Sequence, residues 1–290
     1  MMAAAHCFDT DHLSKTGTMS KTIFITGASR GFGKRWAEAF LERGDRVIAT
    51  ARNPDAIRDL TERFGESVFP IQLDVNDRDA VFAAVQRAKD HFGSIDVLIN
   101  NAGFGLFGAV EETTEEQARG QFETNFFGLL WATQAVIPVM REQHSGHIIQ
   151  VSSVLGVVTM PTLGIYNASK FAVEGLTESL APEVAQFGIR VSLIEPNAFA
   201  TDWAGASAVQ ASASPLYDKL KTDLIGNLPE DFYGKAEATT DAVLRLVDSE
   251  NPPLRMFLGK IAYPFVKQNY EARWAEWDAW KEVSANAHGS

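Results

Sequence analysis

Thr22-Ile23-Phe24-Ile25-Thr26-Gly27-Ala28-Ser29-Arg30-Gly31-Phe32-Gly33 decides the fold. Its first five residues form the apolar run expected of a strand buried on both faces. A helical stretch, Lys34–Glu42, follows the glycines. Gly27, Gly31 and Gly33 permit a tight turn, close approach of a diphosphate to backbone N–H groups, and close packing of helix on sheet. Ser29, Arg30 and Phe32 complete the turn as further candidates to face such a ligand.

Outward from this unit, strand-like runs recur at Arg46–Thr50, Val68–Leu73, Ile95–Asn100, His147–Ser152, Arg190–Ile194 and Leu254–Leu258. Helix-length intervals separate them, with apolar residues three and four apart in Val81–His91 and Glu115–Arg141. Strands alternating with helices imply parallel pairing with helices on both faces. The expectation is an α/β fold: one doubly wound Rossmann-type sheet of about seven strands spanning residues 19–260. Residues 197–235 look irregular and rich in small residues, as a substrate loop would. The tail, residues 261–290, reads as a helical extension carrying Tyr263, Phe265, Tyr270, Trp274, Trp277 and Trp280. So many aromatics are expected to be covered, by the domain, over a substrate pocket or against another subunit. Residues 1–18 are polar and mixed, lack the apolar core of a secretory signal, and read as a disordered leader.

The chain has 290 residues, 46% of them hydrophobic, with no apolar run of membrane-spanning length. Its net charge of −11 argues against a nucleic-acid or anionic-membrane partner, so an anionic ligand needs a local basic patch. Cys7 is the single cysteine, which excludes an intramolecular disulfide and suits a reducing cytoplasm. The six histidines show no metal-ligand spacing, and no metal is expected.

Three tyrosines precede a lysine by four residues: Tyr166 with Lys170, Tyr217 with Lys221, and Tyr263 with Lys267. Only Tyr166 also has a serine, Ser153, thirteen residues upstream. Ser153 ends a strand-like run, and Tyr166 and Lys170 share one face of a helix. Strand ends followed by helix starts are where open α/β sheets bind ligands. A free phenol has a pKa of about 10 and needs a nearby cation to act near neutrality; Lys170 can supply one. The second strand ends in Ala51-Arg52, where NAD-binding chains usually carry an acid. Arg52 and Arg30 can instead clamp the 2′-phosphate of NADP. A second glycine pattern, Gly103 to Gly108, follows the fourth strand and reads as a loop lining the cleft.

With these motifs in this order, the chain resembles the short-chain dehydrogenase/reductase family from about Lys21 to Lys260, with similarity to members acting on steroids and retinoids. The resemblance adds Asn100-Asn101-Ala102-Gly103 as a sheet support bordering the cofactor, Asp74 at the adenine, Pro196 and Thr201 at the nicotinamide, and Asn125 as a fourth catalytic residue. It implies that Tyr166 exchanges the substrate proton, Lys170 holds the nicotinamide ribose and lowers the tyrosine pKa, Ser153 polarises the carbonyl, and Asn125 holds a water linking Lys170 to solvent. Hydride would pass between the nicotinamide of NADP(H) and the carbonyl carbon. One departure is Asn197, where the family commonly has glycine after this proline; asparagine tolerates left-handed backbone better than most residues. Phe104, Phe107, Met160, Leu163, Phe199 and Trp203 are the candidate substrate contacts. No lysine or arginine is evident among the stretches that hold them, so an uncharged, fairly apolar ketone or alcohol is expected. A homodimer or homotetramer is implied by resemblance alone. The rivals are a sugar-nucleotide epimerase or dehydratase and a catalytically silent NADP-binding sensor or scaffold on the same fold.

Overall fold

The computed structural model describes residues 20–289 other than 202, 204, 206 and 230; the leader read over residues 1–18 lies outside them. The strands in chain order are β1 (Thr22–Thr26), β2 (Arg46–Ala51), β3 (Val68–Gln72), β4 (Val97–Asn100), β5 (Leu106–Phe107), β6 (Gly146–Val151), β7 (Ile189–Pro196), β8 (Phe199–Ala200), β9 (Val209–Gln210), β10 (Gly234–Lys235) and β11 (Arg255–Leu258). The helices are α1 (Gly31–Arg43), α2 (Arg58–Phe64), α3 (Arg78–Phe92), α4 (Glu115–Phe122), α5 (Leu129–Gln143), α6 (Gly164–Ala185), α7 (Asp218–Gly226), α8 (Thr240–Asp248), α9 (Ala262–Ala279) and α10 (Lys281–Asn286). Seven strands form one parallel sheet in the order β11-β7-β6-β4-β1-β2-β3.

The alternation in β1 shows why the sheet is covered on both sides. Ile23 and Ile25 join Trp36 and Phe40 of α1 and Val243 and Leu246 of α8 on one face. Phe24 points the other way, into a cluster with Val81 of α3 and Val136 of α5. All three β1 side chains are fully buried, each contributing about 1.5–3 kcal/mol relative to exposure. After β3 the chain returns to the other side of β1. The crevice at this reversal lies between the ends of β1 and β4, where doubly wound sheets bind ligands.

Three stretches differ from their sequence reading. Glu115–Arg141, read as one helix, is two: α4 and α5 are joined by a π-turn, Glu123–Gly128, that contains Asn125. The 197–235 excursion is more regular than its composition suggests. Within it β9 pairs with β5, β10 pairs with β8, and α7 lies between. The aromatic tail is helical as α9 and α10, but it is not wholly covered. Ala262 and Phe265 pack in the cluster around Tyr166, whereas Tyr263, Tyr270, Trp274, Trp277 and Trp280 remain exposed among the described residues.

Candidate active site

The C-terminal strand ends open on one cleft of about 1040 Å³. Its first wall is the glycine turn. Gly27 and Gly31 have φ of 71° and 56°, the left-handed region that favours glycine. A Cβ on Gly33 would overlap the Gly27 carbonyl oxygen and the Asn101 amide, so this position sets the helix–strand approach rather than facing the cleft. Arg30 at the N-cap makes no capping bond, and the first turn of α1 has no acid. Orphan N–H groups of a helix start therefore border the cleft beside Ser29, Arg30 and Phe32, an arrangement that fits a diphosphate.

The loop after β4 is tied to this turn. Thr26 Oγ1 accepts from the backbone N–H of Asn101 and Ala102 at 2.9 and 3.0 Å, and Asn101 Nδ2 donates to the carbonyls of Thr26 and Gly27. Asn100 Nδ2 donates to Gln150 Oε1 at 2.9 Å, fastening β4 to β6. Asn101, Ala102 and Gly103 border the cleft with Asp74, Arg52, Pro196 and Thr201. Arg30 and Arg52 are exposed, and neither pairs with a carboxylate among the described residues. Asn197 lines the cleft without a left-handed backbone, so the conformational tolerance of asparagine is not needed there. Its side chain instead packs over Gly259.

Ser153, Tyr166 and Lys170 meet in the middle of the cleft and are all buried. Burial pushes the Tyr166 phenol above its ordinary range, and hydrogen bonding from Ser153 opposes that rise. Lys170 Nζ donates to the Val151 carbonyl at 2.8 Å and lies 5.8 Å from the Tyr166 ring centroid. Desolvation lowers the ammonium pKa to about 8 against the pull of the Glu174 carboxylate, one helical turn further along α6. Asn125 lies in the π-turn between α4 and α5. Its side chain accepts from Phe104 N at 3.1 Å, donates to Phe104 O at 3.0 Å, and donates to Ser169 Oγ. It props the loop after β4 from outside the cleft lining.

The six candidate substrate residues all border the cleft. Trp203 stands edge-on to Tyr166 and Phe107, with centroids 4.9 and 5.3 Å away. Met160 and Leu163 pack in the Tyr166 cluster, and Phe199 packs edge-on to Phe32 nearer the glycine turn. Phe104 supplies backbone groups to Asn125. Thr162, also in the lining, holds a φ of 65°, unusual for a β-branched residue, while its carbonyl accepts from Gly108 N at 2.8 Å.

Two features had only faint sequence signals. Tyr217 and Lys221, one of the look-alike pairs, bind adjacent acids: Tyr217 bonds to Glu111, and Lys221 bonds to Glu112 at 2.6 Å. Glu112 also accepts from Ser214 N and Ala109 N. Lys221 first, then these backbone donors, hold its pKa down to about 2, so the clasp stays charged across ordinary pH. The clasp fixes α7 over the cleft. The other feature lies behind Lys170: two buried acids, Glu174 and Glu195, bridged by the half-buried Arg255, whose only hint is the four-residue step from Lys170 to Glu174. The remaining look-alike, Tyr263, is exposed, and its Lys267 lies near Glu271. No group of acids, histidines and cysteines suited to a metal occurs among the described residues, nor a helix long and apolar enough to cross a membrane.

The short chain dehydrogenase family model matches residues 21–211. Oxidoreductase BOA17 of Botryotinia fuckeliana is 40% identical over 92% of this chain and 98% of its own. A 3-ketodihydrosphingosine reductase of Bacteroides thetaiotaomicron is 39% identical over 82% and 88%. Among solved structures, a short-chain dehydrogenase from Streptomyces avermitilis superposes with a TM-score of 0.85 at 36% identity, covering 93% of this chain and 98% of that one. One from Burkholderia cenocepacia in complex with NADP gives 0.73 at 29%, covering 90% and 97%. One from Burkholderia phymatum in complex with NAD gives 0.77 at 25%, covering 89% and 95%. A family match across two thirds of the sequence joins the parallel sheet, the glycine turn and the serine–tyrosine–lysine cluster in one assignment: the chain belongs to the short-chain dehydrogenase family.

Proposed function

We propose that this oxidoreductase is an NADP(H)-dependent carbonyl reductase and secondary-alcohol dehydrogenase acting on an uncharged, fairly apolar ketone. The observation that carries the reading is a buried, proton-retaining Tyr166 beside Ser153 and Lys170, in the same cleft as a glycine turn with two exposed arginines that pair with no carboxylate among the described residues. When bound, the nicotinamide supplies or takes the hydride. Tyr166 keeps its proton until negative charge develops on the carbonyl oxygen, then releases it there. Ser153 donates a hydrogen bond to the same oxygen. Lys170 holds the ribose hydroxyls and places positive charge behind the phenol, while Asn125 positions the Phe104 loop against the reacting groups. Activity against a panel of ketones with NADPH, and of secondary alcohols with NADP⁺, tests the reading. A panel without any turnover refutes it.

The two arginines support NADP over NAD, although relatives are known in complex with each. The Michaelis constant for NADPH is expected to be about tenfold or more below that for NADH, the scale of one charge-assisted hydrogen bond. Arg52→Asp should narrow or reverse the gap; equal efficiency of the wild type with both cofactors contradicts the clamp. The proposal extends to a cytoplasmic homo-oligomer paired through α4, α5 and α6. Phe171, exposed on α6, is an apolar group that such pairing would cover.

A further inference from the structure

The cleft that holds Tyr166 and the glycine turn also has an apolar wall supplied by other elements. Leu224, Ile225 and Leu228 line it on and just after α7, Phe232 and Tyr233 follow, and Phe265 of α9, packed in the Tyr166 cluster, lines the same cleft. Two of these are unusually open for large apolar groups: Ile225 is 71% exposed and Tyr233 is 52% exposed. Exposed apolar side chains continuous with a catalytic cleft are the expected signature of a surface that a ligand covers.

Charge narrows the occupant. The lining cations are Arg30 and Arg52 at the glycine-turn end, Lys170 bonded to the Val151 carbonyl, and Lys221 bonded to Glu112. The apolar end therefore has no unpaired cation among its described residues to hold a carboxylate or phosphate. The same Lys221–Glu112 bond, with Ser214 N and Tyr217 on the neighbouring acids, holds the α7 segment in place, so the wall is preformed.

We propose that this α7–α9 wall is a tail subsite for an uncharged aliphatic chain, and that the substrate is a long-chain ketone whose carbonyl lies at Tyr166 and whose alkyl end lies against Ile225, Leu228 and Phe265. This rests on the carbonyl-reductase reading and specifies its substrate class.

The test is a homologous series of methyl ketones, from 2-butanone to 2-tridecanone, with the full chain and NADPH. Wild-type kcat/KM rises about three- to fourfold per added methylene, the transfer free energy of one buried CH₂, until the subsite is full. Ile225→Asp, a change at an exposed position that the fold tolerates, lowers the ratio of kcat/KM for 2-undecanone to that for 2-butanone at least tenfold, and Ile225→Leu keeps the ratio. Turnover independent of chain length, or an unchanged ratio in Ile225→Asp, overturns the subsite and leaves the reductase reading intact. Absence of turnover with the series and with the wider ketone panel overturns the reductase reading. Calorimetric binding of 1-decanol then tests the subsite by itself: tenfold weaker binding to Ile225→Asp supports it, and equal binding or none to the wild type overturns it.

Discussion

Tyr166→Phe is expected to lower kcat for ketone reduction by about 10²- to 10⁴-fold, the usual contribution of a positioned general acid, while NADPH affinity stays close to that of the wild type. The substitution removes one hydroxyl and keeps the ring. The edge-on contact with Trp203 at 4.9 Å and the packing against Val154, Leu155 and Leu163 remain, so the cleft keeps its shape. Burial holds the phenol proton more firmly than water would, and Ser153 bonds to the same oxygen. That oxygen is thus a proton source whose transfer becomes favourable only when a stronger base forms beside it. Single-turnover oxidation of NADPH and fluorescence titration of NADPH measure the two quantities separately. Retained turnover removes Tyr166 from the proton step. Joint loss of turnover and NADPH binding makes the residue a cofactor support instead. A wild type that binds NADPH yet reduces no ketone favours the silent sensor.

The parts legible in the sequence are those whose physics is local. A parallel strand buried on both faces must be apolar throughout, so all seven sheet strands stood out as short apolar runs, with ends displaced by a residue or two. Pairing with neighbours, rather than composition, sets those ends; β7 runs on to Pro196 because β11 pairs with it as far as Leu258. Ser153, Tyr166 and Lys170 were legible because a strand end and a helical turn fix their spacing.

The parts not legible in the sequence depend on distant contacts. Helical periodicity continues smoothly through Glu115–Arg141 and does not register the π-turn that brings the Asn125 side chain to the Phe104 backbone. Two-residue strands have no periodicity, so β5 and β9 exist only because the fold brings Leu106–Phe107 beside Val209–Gln210. The clasp between Lys221 and Glu112 joins residues with no sequence relation, and Tyr217–Lys221 looked like a failed copy of the catalytic pair. The α9 aromatics were expected to be covered because apolar area avoids water. Among the described residues, only the first turns of that helix are placed to satisfy the expectation.

Arg255→Met is expected to produce the largest stability loss. Glu195 is fully buried, and its carboxyl contacts that of Glu174. The cation that bridges them is Arg255, with Nε 3.3 Å from Glu174 and 3.5 Å from Glu195. Desolvation raises the pKa of both acids. The nearby charge of Glu174 raises Glu195 further, so the pair retains a proton on Glu195 and charge on Glu174. Removing one partner from a fully buried ion pair costs about 3–5 kcal/mol; Arg255 is one-third open to solvent, and about half of that is expected here. The Tm should fall by about 5 °C in differential scanning calorimetry.

The retained proton also fixes a sign. Above the ordinary carboxylate range the unfolded chain has released a proton that folded Glu195 still holds, so its contribution to stability declines as pH rises toward its elevated folded pKa. Glu195→Gln imitates the protonated side chain. It should match the wild type near about pH 5 and exceed it near about pH 8.5, because the amide has no proton to lose. Parallel Tm–pH curves for the two proteins would show that Glu195 is ionised in the folded state. Arg255 would then be neutralising two charges, and the loss on Arg255→Met should exceed the value given above. If the curves converge at low pH as expected, Glu174 remains the charged member, one helical turn from Lys170, where its carboxylate supports the ammonium on which the proposed chemistry depends.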